Sequence, residues 1–348
     1  MTNREREILE IIKKQPDIEQ SEIASRLNIA RASVAVHISN LQKKGYISGR
    51  IYLVNDFDYA VGIGAANVDI CGRSKNPIIM ADSNPGAMSI SLGGVTRNIC
   101  ENLARLGGSV KLISALGSDL YGHMIREEST AAGVDMSQCM TVEGHPSSTY
   151  MSLLDERGEM YVALSDMSVL QRMDMEFIRR REAVIEGITS QYGDALPLFC
   201  DPVSSAYARR LKPYVGKVHT LKPNRMELTV LTGHDTDTPK GVKAACEMLL
   251  CRGVKRIFVS MGHEGCLYMD SEGNVVQRAL SPIENIANAS GAGDAFTAAV
   301  IYSYLKGFGI NRTIDYALAA GAVAVSAATT INPEISPELI EKIIIERG

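Results

Sequence analysis

The sequence lacks three features that would place a protein outside the cell or in a membrane. No apolar run approaches the roughly 18 residues of a membrane-spanning helix, and the first residues, MTNREREILE, contain no apolar signal core. The seven cysteines include no CxxC pair, and an odd, unpatterned set favours reduced thiols over disulfides, metal sites or redox centres. We therefore expect a cytoplasmic protein whose cysteines are small buried apolar residues.

Charge divides the 348-residue chain into two parts. Residues 1–50 contain nine Lys and Arg against six Asp and Glu, a balance of +3, whereas the remaining 27 basic and 34 acidic residues give −7. The hydrophobic share of 45% and the charged share of 22% are ordinary for globular proteins, and the length suits one large and one small domain. We expect domains over residues 1–55 and 56–348.

The first domain has the apolar spacing of three short helices. The segments EREILEIIKK and SEIASRLNI predict two of them, and the third carries Val34, Ile38 and Leu41 on one face before Gly45 ends it. The following GYISGRIYLV predicts a small hairpin, or wing. Over about residues 2–54 this arrangement resembles the winged helix-turn-helix modules of bacterial regulators.

DNA binding is the preferred interpretation of this domain. The second helix of the motif would present Arg31, Ser33 and His37 to a major groove, and the local charge is basic. The alternative is a helical cap used for oligomerisation, because a balance of +3 is too weak to exclude it.

From about residue 57 strands alternate with helices, a pattern typical of a parallel sheet that binds ligands at the carboxyl ends of its strands. The segment YAVGIGAANVDI places Asn67 and Asp69 at such an end, unless they only cap the strand. Gly93 and Gly94 precede a helix that carries Asn98, so a ligand hydroxyl could approach the backbone there.

Two further segments, IIMADSNPGAMSISL and SSTYMSLLDERGEMYVAL, alternate polar and apolar residues around turns. They predict a small sheet that stands off the large domain as a lid, roughly over residues 76–94 and 146–166.

Two segments near the end of the predicted sheet contain residues that could bind a nucleotide. In LKPNRMEL, Asn224 and Glu227 begin a helix, where Glu227 could hold hydrated magnesium beside phosphates or serve in a capping box. In RIFVSMGHEG, Ser260, Gly262 and Gly265 form a turn against which a base or a phosphate could lie.

The segment NASGAGDAF combines an anion site with a carboxylate. The amides of Gly291, Ala292 and Gly293 lie at a helix start, where free N–H groups and the helix dipole favour an anion. Asp294 follows in the first turn, where it could accept a proton from an attacking hydroxyl. Helix capping alone would explain Asp294 but not both glycines.

In this order, the segments GAANVDI, SLGGVTRNICENLARLG, SALGSDLYG, LKPNRMEL, VSMGHEG and ASGAGDAF resemble the PfkB, or ribokinase-like, family of sugar and nucleoside kinases, over about residues 58–345. The resemblance implies an α/β fold with a central, mostly parallel sheet flanked by helices and a small β lid, preceded by the small all-α winged helix-turn-helix domain. It also implies ATP and Mg²⁺ as cofactors.

Applied residue by residue, the resemblance implies that Asp294 is the catalytic base and that the amides of 291–293 form the anion hole. The residues implied for the ribose hydroxyls are Asn67, Asp69, Gly93, Gly94 and Asn98. Those implied for the nucleotide are Asn224, Ser260, Gly262 and Gly265, with Glu227 for magnesium.

Within the family, ADSNPG, GGVTRN, SSTYMSLLDERGEM, DPVSS and HTLKPNR are most similar to pseudouridine kinases, which phosphorylate the 5′-hydroxyl of the free nucleoside. A C-linked uracil exposes two ring N–H groups, and the lid residues Ser83 and Asn84 could read them. Equally, the two residues could only form the Asn-Pro-Gly turn.

The sequence departs from the family pattern in two places. A strand expected before Leu196 is missing, and Asn288 and Ser290 stand where relatives carry the Asp and Thr of a monovalent-cation site, which leaves potassium dependence open. One alternative is therefore a transcription regulator that binds a nucleoside as a signal, with weak or no turnover. Another is a kinase for a different substrate such as ribose or inosine. By analogy with the family, a homodimer would form through the lid.

Overall fold

The structure is a computed structural model, and it describes residues 1–15, 18–48, 53–54, 59–181, 197–281 and 290–347. The chain forms two compact units, of which the first comprises Met1–Val61 with Met173–Leu196 and the second Gly62–Arg172 with Pro197–Gly348. The strand expected before Leu196 and the residue Asn288 both lie outside the described residues.

The first unit contains the predicted helix-turn-helix and wing. The elements of its amino-terminal part are helices α1 (Asn3–Lys14), α2 (Gln20–Leu27) and α3 (Arg31–Lys43) and the antiparallel strands β1 (Ile47–Ser48) and β2 (Leu53–Val54). A capping box between Thr2 and Glu5 starts α1, and Asn28 ends α2 in a left-handed conformation with φ of 50°. The buried core consists of Ile8, Leu9, Ile12, Ile18, Ile23, Ala24, Val34, Ile38, Leu41, Tyr46 and Ile47.

The described elements after residue 59 alternate as predicted. The strands are β3 (Ala60–Ile63), β4 (Asn67–Ser74), β5 (Gly86–Gly93), β6 (Val110–Ile113), β7 (Ala115–Gly117), β8 (Met140–Val142), β9 (Thr149–Leu154), β10 (Met160–Asp166), β11 (Phe199–Cys200), β12 (Thr220–Leu221), β13 (Arg256–Ser260), β14 (Cys266–Asp270) and β15 (Val275–Arg278). The helices are α4 (Val95–Arg105), α5 (Leu120–Ala131), α6 (Met175–Arg179), α7 (Ser205–Leu211), α8 (Arg225–Thr232), α9 (Pro239–Cys251), α10 (Ala292–Leu305), α11 (Ile310–Val325) and α12 (Pro337–Arg347).

A five-stranded sheet supports the carboxyl-terminal half of the second unit. Its order is β11-β12-β13-β14-β15, in which β11, β12 and β13 are parallel and the remaining two pairs are antiparallel. Leu221, Ile257 and Val259 of this sheet are fully buried in a core with α8 and α9. The parallel strands therefore end together, and Asp201 and Lys222 follow directly on two of them.

The predicted lid is a four-stranded sheet with the order β10-β9-β4-β5. Both predicted segments contribute strands to it, and its centre contains a third segment, β4, which the sequence analysis assigned to the main domain. Strand β4 pairs antiparallel with β5 and parallel with β9, because a sharp turn after β3 redirects the chain. Asn67 and Asp69 consequently lie in the lid sheet and not at the end of the preceding strand.

All seven cysteines are free. Four of them are buried as expected, whereas Cys71 and Cys200 are partly buried and Cys251 is exposed. Among the described residues, we find no helix that is both long and apolar enough to span a bilayer.

Candidate active site

Asp294 lies in the first turn of α10, and the backbone before it requires glycine. Gly291 is the N-cap with φ of 83°, and a Cβ there would lie 1.9 Å from the carbonyl oxygen of Thr330. The first amides of a helix, here including those of Ala292 and Gly293, lack intrahelical acceptors. Because the N-cap is a glycine, no capping side chain accepts from them either. The positive end of the helix dipole thus lies beside a carboxylate.

A hydrogen bond joins Asp294 to the helix that follows the diglycine. Asn98 is buried in α4, and its Nδ2 donates to Asp294 Oδ2 at 2.8 Å. The other end of the same amide, Oδ1, accepts a hydrogen bond of 3.0 Å from Arg97 Nη1. The two predicted residues are therefore together, and the sequence analysis did not identify Arg97.

Burial raises the pKa of Asp294 to about 7, since only 8% of the residue is exposed. The hydrogen bond from Asn98 and the ammonium of Lys222 act in the opposite direction, whereas the carboxylates of Asp201 and Asp69 raise the pKa further. A carboxylate with a pKa near neutrality is suited to accept and release a proton.

The diglycine makes room for a second carboxylate. A Cβ at Gly93 would lie 2.3 Å from Asp69 Oδ2, so only glycine leaves the space that this side chain occupies. Asn67 Nδ2 donates to Asp69 Oδ1 at 2.6 Å. Burial raises the pKa of Asp69, while Asn67 and Arg97 oppose this effect. Gly94 has φ of 95° and packs against the backbone of Ala65, where a side chain would clash.

A buried ion pair borders the amides of α10. Lys222 Nζ donates to Asp201 Oδ2 at 2.7 Å, and both side chains are 8% exposed. Thr297 Oγ1 donates to the same carboxylate oxygen at 3.2 Å. A Cβ at Gly293 would lie 2.8 Å from Lys222 Nζ, so the ammonium lies directly against the backbone of the predicted anion hole. Sequence analysis used DPVSS and HTLKPNR only as points of resemblance and assigned neither residue a role.

Asn224 and Glu227 form the capping box that was one of the two predictions for them. Asn224 Oδ1 accepts from the Glu227 amide at 2.8 Å, and Glu227 Oε2 accepts from the Asn224 amide at 2.9 Å. Burial raises the pKa of Glu227; the backbone hydrogen bond from Asn224 and the charge of Lys222 oppose it, and Asp201 adds to it. Magnesium binding at Glu227 is not excluded by this cap, because one carboxylate oxygen makes no capping bond.

The predicted nucleotide turn lies next to this cap. Asn224 and Ser260 form a parallel β-bridge, and the Ser260 amide donates to the carbonyl oxygen of Pro223 at 3.0 Å. The turn that follows has positive φ at Gly262 (61°) and Gly265 (81°). A Cβ at Gly265 would lie 1.9 Å from the carbonyl oxygen of Arg278, so this glycine is required by close backbone approach.

Magnesium fits these residues only if phosphates complete its shell. Among the described residues, no group of three or more His, Cys, Asp or Glu side chains is arranged to hold a metal ion by itself. Mg²⁺ in phosphate-transfer sites keeps water and uses one or two carboxylates together with the phosphates. The carboxylates of Asp201, Glu227 and Asp294 around the ammonium of Lys222 leave a surplus of negative charge that suits such a cation.

Ser83 and Asn84 are exposed in the lid. Asn84 Nδ2 donates to the carbonyl oxygen of Ile79 at 2.9 Å, and Asn84 Oδ1 accepts from the Ile79 amide at 2.8 Å. The side chain of Asn84 therefore bonds back to Ile79, and these bonds do not test the alternative that Ser83 and Asn84 only form the Asn-Pro-Gly turn. A contact of Ser83 or Asn84 with substrate stays a prediction.

In the first unit, Arg31 and Ser33 are exposed at the start of α3. His37 is half-buried one turn later, and its Nδ1 has no hydrogen-bond partner among the described residues. The exposed end of α3 is thus the end that would enter a groove of DNA.

Comparison with known proteins finds a matching family model for each part of the chain. Residues 58–337 match the model of the pfkB family carbohydrate kinases, and residues 1–48 match that of a winged helix-turn-helix DNA-binding domain. The uncharacterized sugar kinase YeiI of Escherichia coli K12 is 32% identical over 97% of this chain and 98% of its own length. The pseudouridine kinase of the same organism is 35% identical over 80% of this chain and 94% of its own length. The crystal structure of a putative sugar kinase from Clostridium perfringens, 31% identical, has a TM-score of 0.72 and covers 83% of this chain and 96% of that one.

Proposed function

The chain belongs to the pfkB family of carbohydrate kinases, and from that premise we propose that it transfers the γ-phosphoryl group of ATP to the 5′-hydroxyl of pseudouridine. The observation that carries the proposal is the position of Asp294, a buried carboxylate in the first turn of α10, next to helix amides and close to an ammonium group. The choice of pseudouridine is supported by the 35% identity to the pseudouridine kinase and by the similar lid segments.

Asp294 acts as the base. Asn98 holds Oδ2, so Oδ1 is left to accept the proton of the attacking hydroxyl. The amides of residues 291–293 and the Lys222 ammonium stabilise the negative charge that spreads over the transferred phosphoryl group. Asp201 holds Lys222 against Gly293 and keeps this charge in place.

The nucleoside lies on the lid side of Asp294. Asn67, Asp69 and Asn98 bind the ribose hydroxyls, and the glycines at 93 and 94 let the sugar approach the backbone. Ser83 and Asn84 contact the uracil ring when the lid closes, which requires Asn84 to exchange its turn hydrogen bonds for bonds to the base.

ATP lies over the turn at 260–265, with its phosphates between Asn224 and the amides of α10. Glu227 would hold the magnesium ion, through water or directly. When bound, Mg²⁺ supplies positive charge that neutralises the phosphates and orients them.

The assay that tests this function is Mg²⁺-dependent ADP release from ATP, with pseudouridine, uridine, ribose and inosine supplied separately. Selective turnover of pseudouridine supports the proposal, whereas selective turnover of ribose or inosine replaces the substrate. Nucleoside binding without turnover favours a nucleoside-responsive regulator. Comparing potassium with sodium in the buffer decides the monovalent-cation question.

A second function, DNA binding, is favoured by the winged helix-turn-helix unit, with Arg31, Ser33 and His37 as the contact residues. Phosphate contacts of this kind weaken steeply with salt. Retention of duplex DNA that persists at low salt and vanishes at high salt supports it, and a helical cap for oligomerisation predicts no retention.

We also propose that the lid pairs with the lid of a second copy. Leu164, Met151, Ile70 and Ile90 form one row across its four strands, on the face opposite Asp69. Met88 of the next row is 75% exposed and Leu164 is 66% exposed. A groove of about 460 Å³ runs along this face, and monomeric proteins seldom expose an apolar surface of this kind.

A further inference from the structure

Arg97 is a buried cation next to the amide that holds the proposed base. It is 4% exposed and ion-paired with Glu101 one turn later. Its Nε donates to Ser129 Oγ at 3.1 Å, and its Nη1 donates to Asn98 Oδ1 at 3.0 Å. The charged groups around it are Glu101, Glu128, Arg105 and Asp69. The guanidinium is therefore fixed from α4 and from α5 at once.

An asparagine amide can be turned by 180° with little change in shape, and its neighbours decide which end faces which way. A guanidinium carries only donors, so the end of Asn98 that meets Arg97 must be the oxygen. The NH₂ end then faces Asp294. In the reverse orientation, Asn98 Oδ1 would face a carboxylate and could be satisfied only if Asp294 were protonated.

We propose that Arg97 is a positioning residue that fixes the amide of Asn98 with its NH₂ end toward Asp294 and thereby keeps Asp294 ionised for proton acceptance. The proposal rests on the proposed role of Asp294 as the base. It goes beyond that role, because Arg97 makes no hydrogen bond to Asp294 and acts through Asn98.

Besides Asn98, the groups that face Asp294 are Asp201, Lys222 and Asp69. None of them makes a hydrogen bond to the Asn98 side chain among the described residues. Replacing Arg97 therefore changes what holds the Asn98 oxygen. It also removes a positive charge that acts on Asp69, an effect that does not pass through Asn98.

The test is the double variant R97M/E101L, which removes both charges of the buried pair so that neither is left unpartnered. The pKa of Asp294 is measured in the free protein by ¹³C NMR of labelled aspartate, with the signal assigned by its loss in D294N. The pH dependence of kcat/KM is measured in parallel.

S129A is the matched control, since it removes another hydrogen bond of Arg97 but leaves the one to Asn98. The same substitutions in an N98A background isolate the effect that passes through Asn98.

In R97M/E101L we expect the pKa of Asp294 to rise by about one unit, and the acid limb of kcat/KM should move with it. At pH values below the pKa, kcat/KM should therefore fall about tenfold, and at high pH it should change little. In S129A, the pKa of Asp294 and the acid limb of kcat/KM should each move by only a fraction of the shift in R97M/E101L. In N98A, adding R97M/E101L should shift the pKa of Asp294 by only a small fraction of this, because only the effect through Asp69 is left. An unchanged pKa in R97M/E101L, or an equal shift with and without Asn98, overturns the proposal. The NMR arm requires no turnover, so it decides the role of Arg97 even if the wild-type protein is inactive, a result that would separately contradict the kinase function.

Discussion

Asn98 and Asp294 are 196 positions apart in the sequence, and Asn98 Nδ2 donates a hydrogen bond of 2.8 Å to Asp294 Oδ2. This bond joins α4, which begins at the diglycine of the sugar side, to α10, which begins at the anion hole. The residues proposed to bind the sugar and those proposed for phosphoryl transfer thus meet at one carboxylate, and the first three predictions concern its surroundings.

Replacing Asp294 with asparagine should lower kcat by about two to four orders of magnitude, because the amide cannot accept the hydroxyl proton. Nucleoside affinity should change little, since the oxygen of the new amide can still accept the hydrogen bond from Asn98. Steady-state kinetics and calorimetric titration measure the two effects, and D237N, at an exposed position, is the control. Turnover of D294N close to that of the wild type would contradict the role of Asp294 as base.

The raised pKa of Asp294 also predicts how stability depends on pH. Since the carboxyl has a pKa of about 7 in the folded protein and its ordinary 3.8 when unfolded, the folded state holds the proton more tightly. Its contribution to stability is complete below pH 4 and is lost as the pH rises through 7. D294N should therefore have a higher Tm than the wild type at pH 8, and the difference should vanish toward pH 4. Thermal unfolding measures this, and equal Tm differences at both pH values would contradict the raised pKa.

Three glycine-to-alanine variants separate structure from chemistry in the anion hole. G293A would bring a Cβ to 2.8 Å from Lys222 Nζ, so we expect a folded protein in which the displaced ammonium lowers kcat at least tenfold. G291A meets the Thr330 backbone at positive φ and should mainly lose stability. G307A also has positive φ but meets nothing within 4 Å, so it measures the backbone strain alone, about 1 kcal/mol.

Thermal unfolding of G293A separates a loss of stability from a loss of catalysis. If G293A loses as much stability as G291A and keeps its kcat, the position of Lys222 has no role in the transfer step.

Removing the charge of Arg31 should weaken DNA retention at low salt and reduce its dependence on salt concentration. R4A removes a charge of the same sign from α1, where Arg4 pairs with Glu7, and should have a smaller effect. Fluorescence anisotropy with labelled duplexes over a range of salt concentrations measures both. Equal losses in R31A and R4A would indicate nonspecific attraction, and no loss in either would favour the helical cap.

Placing a charge on the apolar face of the lid should separate a dimer. Leu164 lies at the edge of the sheet in the apolar row, so L164E introduces an ion that pairing would bury without a partner. Analytical ultracentrifugation should find dimers for the wild type and monomers for L164E, while V275E, at an exposed position of the main sheet, should behave like the wild type. A monomeric wild type would remove the proposed lid interface.

Much of the site follows from local sequence. Gly291 and Asp294 are close together in the chain, and a glycine turn before a helix is a pattern typical of anion sites. Asn224 and Glu227 are also close together in the chain, although the sequence pattern alone did not decide between a capping box and a metal site.

The remaining features depend on contacts between distant segments. Strand β4 follows β3 so closely that the two read as one apolar run, and only its pairing with β5 and β9 places Asn67 and Asp69 in the lid sheet. In the sequence alone, Lys222 and Asp201 are charged residues at the ends of strands. Their position beside Gly293 depends on how the sheet packs against α10. Arg97 lies on a helix at the spacing of a surface charge, but in the structure it is buried and donates a hydrogen bond to Ser129 of α5.

The most direct test of the account is the identification of the product formed by the purified protein from ATP, Mg²⁺ and pseudouridine. Proton-coupled ³¹P NMR distinguishes a phosphate on the 5′-carbon from one on a ring hydroxyl. We expect pseudouridine 5′-phosphate in amounts equal to the ADP released, and none with D294N. Release of ADP without a phosphorylated nucleoside, or the same product from D294N, would contradict the assignment of this site as a pseudouridine kinase centre.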